Sequence, residues 1–445
     1  MEKKFMTGPA APQGGFALAL AAALLCLVLP AGAALAVAAR QGKSGARVFR
    51  DMTVCAACGA AAYFLIGSWL LFGADAGAVL GLPPGASHPA AQAGLPGAGG
   101  AGEAPGLGAA SFFLYHLGLA LVPFWMFYAV NGERLTRAGN ALMCAVVCAL
   151  IFPVAGHWTI GSRWLGPPGA GWLATRGFFD AAGGVCALVC GAAAALAGLL
   201  GGDAPSGAPQ PKTPQPGMPG SNAPPAFPEG GGPGWRIALC CWLLAAALAT
   251  RASGGYFFGA LVALVLGGLC GALGAKAASV AAENGAKAGL SWLASLLRAG
   301  GPALAAWREN LGEHEALGLA AGVAALSSAL AAAPWWAVPL IGALAGSLVR
   351  MVLAGLAAAL DLTNAARRVL ALGLGGALGA AATGLVALAQ PSLLVNDMFV
   401  AGGVTLAGIE LTGAAATAAW TIAVVWLLQR GLMLAQRALA ALPDK

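Results

Sequence analysis

PVAGHWTIGSRWLGPPGAGWLATRGFFDAAGGVCALVCG, residues 153–191, decides the reading of this chain. Two apolar helical stretches flank a turn-rich loop, and Asp180 stands at the threshold of the second. A carboxylate is costly inside a bilayer, so it persists where it caps buried backbone or faces a conducted solute.

Composition sets the class around this stretch. Of 445 residues, 59% are hydrophobic and 9% charged, with a mean hydropathy of +0.81. A soluble globular domain of this length would have too little polar surface to cover itself. Apolar runs of about twenty residues recur, each long enough to cross a hydrocarbon core of about 30 Å. Backbone groups in lipid must bond within their own segment. The chain is therefore expected to be an all-α polytopic membrane protein. Spans are predicted near residues 16–38, 52–74, 110–130, 139–159, 178–200, 236–253, 255–275, 317–333, 337–360, 369–388 and 403–428. The first is too long for the apolar core of a signal peptide, roughly 7–15 residues.

Two low-complexity stretches interrupt the spans. Ala76–Ala109 is rich in Gly, Ala and Pro without Lys or Arg, and Gly201–Gly234 holds ten prolines. The expected organisation is a first five-helix half over residues 1–200 and a Pro/Gly-rich linker over 201–234. A second five-helix half follows over 235–388, with an inner loop at 276–316, and then an eleventh helix and short tail over 389–445. Within the inner loop, Leu290–Leu297 reads as a short amphipathic helix lying at the interface.

Basic residues orient the chain. With the N-terminus outside, 17 of the 23 Lys and Arg fall on inner segments. Lys3, Lys4, Arg163, Arg176 and Arg251 fall outside, and Arg350 lies within a span. The net charge of +7 is thus an insertion signal, and no basic soluble face invites nucleic acid. The ten cysteines lie almost all in apolar runs and read as small buried hydrophobes. Cys55/Cys58, Cys144/Cys148 and Cys186/Cys190 have metal-compatible spacing but lack nearby His or carboxylate partners.

Several motifs together resemble the ammonium transporter family (Amt/Mep/Rh). Trp69 and Phe72–Gly73 match its WxLFG signature, Asn131-Gly132-Glu133-Arg134 its third-span ending, and PVAGHW and GFFDAAGG its fourth- and fifth-span motifs. Gly373-Leu374-Gly375-Gly376 matches the glycine run of its tenth span. The likeness covers nearly all of the chain between Leu25 and Leu432. It implies eleven transmembrane helices as two inverted five-helix repeats plus one extra helix. It also implies a homotrimer in the plasma or inner membrane, N-terminus outside and C-terminus cytoplasmic, with ammonium or ammonia as solute. The short tail ending at Lys445 argues against a PII-type regulator.

The resemblance also assigns a path, and the path is altered. The two pore histidines of the family are replaced by Leu188 and Leu372, and the gate phenylalanines by Tyr115 and Leu119. The outer tryptophan maps to Ile160, with Trp158 and Trp164 nearby, and the aromatic stretch of span six maps to Leu244–Thr250, which has no aromatic. A leucine-lined constriction would be narrow and dry.

Each remaining polar residue has a functional and a structural reading. Asp180 recruits a cation or caps helix N–H groups. Arg251 repels cations at an outer vestibule or snorkels to headgroups. Arg350 and Glu410 are intramembrane charges, functional by default or else paired with each other or with backbone. His116 replaces part of the lost imidazole chemistry or packs between helices. His157 belongs to the packing of the GHW motif. No nucleophile–base pair, metal cluster or phosphate loop is legible, so catalytic residues, metal ligands and cofactors are expected to be absent. The function expected is an ammonium or ammonia transporter or channel with an altered pore. A non-transporting sensor or regulatory paralogue, or a channel for another small neutral solute, is the alternative.

Overall fold

Apolar runs with glycine at every fourth place fold here into helices that lie backbone against backbone. The computed structural model describes residues 45–82, 107–159, 171–178, 180, 184–202, 257–285, 287, 291, 312–329, 332–360, 362–387, 394–395, 398–399 and 403–440. Helix α1 runs Gly45–Ala62, passes through a π-helical turn Tyr63–Gly67 and ends as Ser68–Phe72. Strands β1 (Ala74–Ala76) and β2 (Leu80–Leu82) form an antiparallel hairpin after it. Helix α2 is Leu107–Asn131. Helix α3 runs Arg137–Val146, a π-helical turn Val147–Ile151, then Phe152–Thr159. Helices α4 (Gly184–Gly201), α5 (Phe257–Asn284), α6 (Glu313–Ala329), α7 (Ala337–Leu360) and α8 (Asn364–Val386) follow. A two-residue ladder, β3 (Leu394–Val395) with β4 (Met398–Phe399), precedes the final helix α9 (Val404–Ala440).

Seven of these helices are long and apolar enough to cross a membrane, and Val185–Gly201 of α4 is a shorter apolar helix. Nine predicted spans coincide with helices α1 to α9. Those at 16–38 and 236–253, and with them the count of eleven, lie outside the described residues, as do the proline-rich stretch from residue 203 and most of 290–297.

Three boundaries differ from expectation. Helix α5 continues through Lys276 to Asn284, so the inner loop begins later than residue 276. Lys276 remains helical because its Nζ meets Glu315 Oε1 at 3.0 Å. Helix α6 begins at Glu313, where Arg368 grips the Glu313 carboxylate with Nε at 3.0 Å and Nη2 at 2.6 Å. Helix α9 has 37 residues, about 55 Å at 1.5 Å per residue. It outruns the bilayer and reaches the α2–α3 turn, where Gln436 Nε2 donates to Thr136 Oγ1 at 3.3 Å.

The helices pair in a repeated pattern. α1 packs on α3 and α5 on α7; α2 packs on α4 and α6 on α8; α4 and α8 meet in the centre, and α9 lies across both. Helices in lipid have no hydrophobic drive toward each other, so association depends on close contact. Three glycine pairs spaced four apart supply it: Gly267/Gly271 on α5, Gly318/Gly322 on α6 and Gly342/Gly346 on α7. A Cβ on Gly322 or Gly342 would meet the carbonyl of Gly267, and one on Gly318 or Gly346 the carbonyl of Gly271.

Side chains satisfy the backbone groups that helix ends and π-turns release. Arg134, in the Asn131-Gly132-Glu133-Arg134 motif, donates from Nη1 to Leu199 O at 3.4 Å and Gly202 O at 3.2 Å, closing the end of α4. Asn131 Nδ2 donates to Ala195 O at 2.8 Å. Pro153 in α3 has no N–H to give, and Trp420 of α9 donates its indole N–H to the nearby Ile151 O at 3.1 Å.

Gly346→Leu would drive a side chain into backbone, at a cost of about 1–3 kcal/mol or more. On the same helix, nothing stands within 4 Å of a Cβ placed on Gly355. The expected outcome is a lowered melting temperature and folded yield for Gly346→Leu, with Gly355→Leu close to wild type by fluorescence-detected size exclusion after heating.

Candidate functional site

A carboxylate, Asp75, helps to hold the hairpin that follows α1 to the bundle. At its turn Gly77 (φ +65°) and Ala78 (φ +62°) both take left-handed backbone, a strained choice for alanine. Asp75 Oδ2 accepts the Ala78 N–H at 3.0 Å, and Trp172 N–H reaches Ala78 O at 3.1 Å. Asp75 Oδ1 lies 3.0 Å from His157 Nε2 and 3.4 Å from Gly171 N. The other ring nitrogen, Nδ1, lies 3.0 Å from Leu71 O. Both ring nitrogens of the fully buried His157 thus have oxygen partners. Burial pushes the Asp75 carboxyl up. The hydrogen bonds from His157, Ala78 and Gly171, with the charge of His157, outweigh that effect and hold it below the usual carboxylate range.

An aromatic cluster sits beside this clamp. Trp158 donates its indole N–H to Val79 O at 2.9 Å. Its ring stands edge-on to Trp172, with centroids 6.1 Å apart, and to Trp420 at 5.9 Å. The Arg176 guanidinium lies 5.4 Å over Trp172 and donates to Trp172 O at 2.8 Å. Residues 171 and 172, from the end of the loop predicted between the fourth and fifth spans, thus bond to the hairpin.

Asp180 is buried and its Oδ2 accepts the Cys186 N–H at 2.9 Å. That bond satisfies a first-turn donor of α4, the capping geometry that one of its two readings anticipates. Below it, Leu188 is buried against α8: Leu188 Cβ would lie 3.6 Å from a Cβ placed on Gly376, and Leu188 O faces Gly373. Leu372 lies one turn from Gly376. On a helical wheel it falls between the residues facing α4 (Gly373, Gly376) and those facing α6 (Gly375, Gly379). Leu372 is half-buried there, packed against the core to which Leu188 belongs. Leu188 and Leu372 belong to the same apolar core as Tyr115 and Leu119 of α2, which are i, i+4 neighbours, each 1% exposed. His116 is equally buried, edge-on to Phe72 at 4.9 Å and to Tyr115 at 5.3 Å.

Other predicted positions fall elsewhere. Ile160 and Arg251 lie outside the described residues. Arg350 and Glu410 do not pair. Arg350 Nε donates to Ser279 Oγ at 3.0 Å, near the end of the bundle opposite the hairpin. Glu410 is fully buried on α9, next to the stretch where Phe178 packs on Gly413. The described cysteines are free thiols. Cys190 Sγ lies 3.0 Å from Thr421 Oγ1, and Cys148 Sγ donates to Ala120 O at 3.4 Å. Among the described residues no cluster of His, Cys, Asp and Glu has the makings of a metal site.

Sequence reasoning missed Asp75, Trp172 and Trp420. The one available signal for Asp75 was an acidic residue two places after a glycine that ends an apolar helix.

Residues 16–224 match the family model described as Ammonium Transporter Family. No curated protein sequence matches the chain. Among solved structures, one titled "Sensor Amt Protein" superposes with a TM-score of 0.68 at 16% identity, covering 97% of this chain and 95% of that one. Mep2 of Saccharomyces cerevisiae gives 0.64 at 16% identity, over 93% of this chain and 84% of that one. Mep2 of Candida albicans gives 0.60 at 20%, over 93% and 82%. At these identities the likeness establishes the fold.

Two substitutions test the site's supports. A carboxylate held low contributes stability above its unfolded pKa, near 3.9, that disappears as pH falls through the folded value. The stability difference between wild type and Asp75→Asn should therefore be full at neutral pH and shrink below about pH 4, measured by thermal melts across a pH series. Asp180→Ala should cost about 1 kcal/mol or somewhat more through the lost cap, read as a lower melting temperature.

Proposed function

By its sequence match over residues 16–224 and the fold around it, the chain belongs to the ammonium transporter family, and on that premise we propose that it moves ammonium, or the ammonia formed from it, through a passage whose chemistry has changed. What supports this reading is the contact of Leu188 on α4 with Gly373 and Gly376 on α8, beside Leu372 in the chain; the resemblance assigns pore imidazoles to both leucine positions. A bare cation in an apolar passage is expensive, whereas neutral ammonia crosses cheaply. Imidazoles can accept hydrogen bonds or relay a proton; leucines can do neither. The proton then stays on the entry side, and what crosses is neutral.

The hairpin end is the outer face in this reading. Trp158, with Trp172 and Trp420 around it, offers the aromatic surface that the position of Ile160 lacks, since ring faces attract cations. Arg176 already lies over Trp172, which weakens recruitment there. The architecture proposed is eleven spans as two inverted five-helix repeats plus one, N-terminus outside. The packing of α1 on α3 and α2 on α4, repeated by α5 on α7 and α6 on α8, supports it. A homotrimer is proposed from the family resemblance, since closed rings are the ordinary form of soluble and membrane homo-oligomers alike.

A second reading is a sensor that keeps the scaffold without conducting. The observation favouring it is the burial of Tyr115, His116, Leu119 and Leu188 together, each about 1% exposed. One structure sharing the fold is titled a sensor.

Reconstituted in liposomes, the wild-type chain should give little or no ammonium-dependent current on a supported-membrane electrode. Leu188→His with Leu372→His should raise it about tenfold, as a restored proton relay would. A large wild-type current, abolished by Asp180→Ala, would overturn the altered-passage reading. Uptake of uncharged methylamine without current separates the neutral channel from the sensor.

A further inference from the structure

On the face of α4 turned toward α3 and α9, Cys186 and Cys190 stand one helical turn apart, so their side chains are neighbours. Both are buried, 1% and 0% exposed. Cys186 shares side-chain hydrogen bonds with Cys190 and with Thr159 of α3. Cys190 Sγ lies 3.0 Å from Thr421 Oγ1 of α9. The Thr421 and Thr159 hydroxyls donate their own protons to Thr417 O at 2.8 Å and to Ala155 O at 3.0 Å. Their oxygens therefore meet the sulfurs as acceptors, and the thiols are the donors.

Beside this pair lies a cavity of about 300 Å³ among α4, α8 and α9. Val189 and Ala193 bound it on α4, and Ala418 and Ile422 on α9. Cys190 follows Val189 and precedes Ala193 by about one turn, and Thr421 stands in the same way between Ala418 and Ile422. The Cys190–Thr421 contact is therefore on the cavity's flank. Every lining residue is apolar or glycine, and a space of that kind stays dry and accepts an apolar guest. Leu411 and Ala415, on its α9 rim, are exposed on the outside of the bundle, so a guest enters from the hydrocarbon.

A dithiol beside an apolar space selects a particular chemistry. Two sulfurs do not complete a zinc site, which needs further ligands, and among the described residues no metal-binding group of His, Cys, Asp and Glu includes them. Trivalent arsenic asks for less: it is soft, bonds sulfur, and is satisfied by two thiols when its third valence carries carbon. Such a molecule is neutral before and after bonding, so no charge is brought into the hydrocarbon. We propose that Cys186 and Cys190 bind a neutral trivalent arsenical bearing one small organic group, with that group seated in the apolar cavity. Each As–OH bond breaks as an As–S bond forms, and the thiol hydrogen leaves with the hydroxide as water. Two thiols release two waters; arsenic stays trivalent and no electron is transferred. The pair Cys144/Cys148 has the same spacing, but the α1 backbone closes over it. A Cβ on Gly59 would lie 2.6 Å from Cys144 Sγ and 3.0 Å from Cys148 Sγ. The site stands independently of what passes between α4 and α8.

The test uses the full-length protein in detergent, reduced with a phosphine and incubated with phenylarsine oxide. It is then unfolded in N-ethylmaleimide, digested and examined by mass spectrometry. In wild type the peptide carrying Cys186 and Cys190 should lose its alkylation and gain one phenylarsenic group, while the peptide carrying Cys144 and Cys148 stays alkylated. Cys190→Ser should abolish the capture. Ala415→Trp, which fills the cavity from its exposed rim and replaces neither thiol, should abolish it as well; it keeps the test open if Cys190→Ser fails to fold. Full alkylation of Cys186 and Cys190 in wild type would overturn the proposal. So would capture at both cysteine pairs alike, or capture undiminished in Ala415→Trp.

Discussion

Helices surrounded by lipid gain nothing by burying apolar surface against one another, so this fold depends on how closely their backbones can approach. Glycine sets that distance. Around α5 the contacts run carbonyl to Cα, with Gly267 and Gly271 touching glycines of both α6 and α7. The same device operates in the centre, where Gly373 and Gly376 of α8 receive the α4 turn that carries Leu188 and Ala192. Such contacts leave no slack, because a carbonyl oxygen cannot rotate away as a side chain can. The residues where α4 meets α8 are therefore positioned by backbone geometry.

A change of residue at such a seam acts on both shape and chemistry. Leucine and histidine are of similar bulk, so Leu188 fits beside Gly376 without disturbing the helices. On the reading proposed above, the hydrogen-bonding capacity of the position is lost all the same. The surrounding polar supports are retained: Asp180 still holds the first turn of α4, Arg134 still closes its far end, and Asn131 still bonds Ala195 O. The scaffold of α4 is thus held at both termini around an aliphatic middle.

Much of this was legible in the residues. Span α7 falls on its predicted limits, 337–360, because Pro334 precedes one end and the polar run from Asp361 follows the other. Asp180 could be read as a cap because it precedes an apolar run. The errors share a cause: apolarity reports where a helix is in lipid and says little about where the helix stops. Helix α5 runs on through Lys276 and Glu283, and α9 through Arg430 and Arg437, since their charges are carried past the hydrocarbon region on continuing helix. The hairpin at residues 74–82 was illegible because its three-residue strands lie in a Gly- and Ala-rich stretch without alternation. Asp75 and His157 stand 82 residues apart, and Trp420 reaches Ile151 across 269; no local pattern encodes such meetings.

The placement of charge along the bundle has a consequence for any solute. At the hairpin end Asp75 gathers donors from His157, Ala78 and Gly171, and Asp180 is committed to α4. At the other end Glu313 and Glu315 each hold a cation, and Arg350 and Arg367 remain over. Between them, the α4–α8 seam presents Leu188, Leu372 and glycine. An ion entering from either side would leave a charged rim for a stretch that offers neither counter-charge nor hydrogen-bond acceptor from those side chains. It would also approach the end lined by Arg350 and Arg367 against two unmatched guanidiniums, which repel ammonium and favour an anion in their place. On the proposed reading a neutral molecule meets neither penalty, so the arrangement that would disfavour a current would leave an uncharged passage as the less costly route.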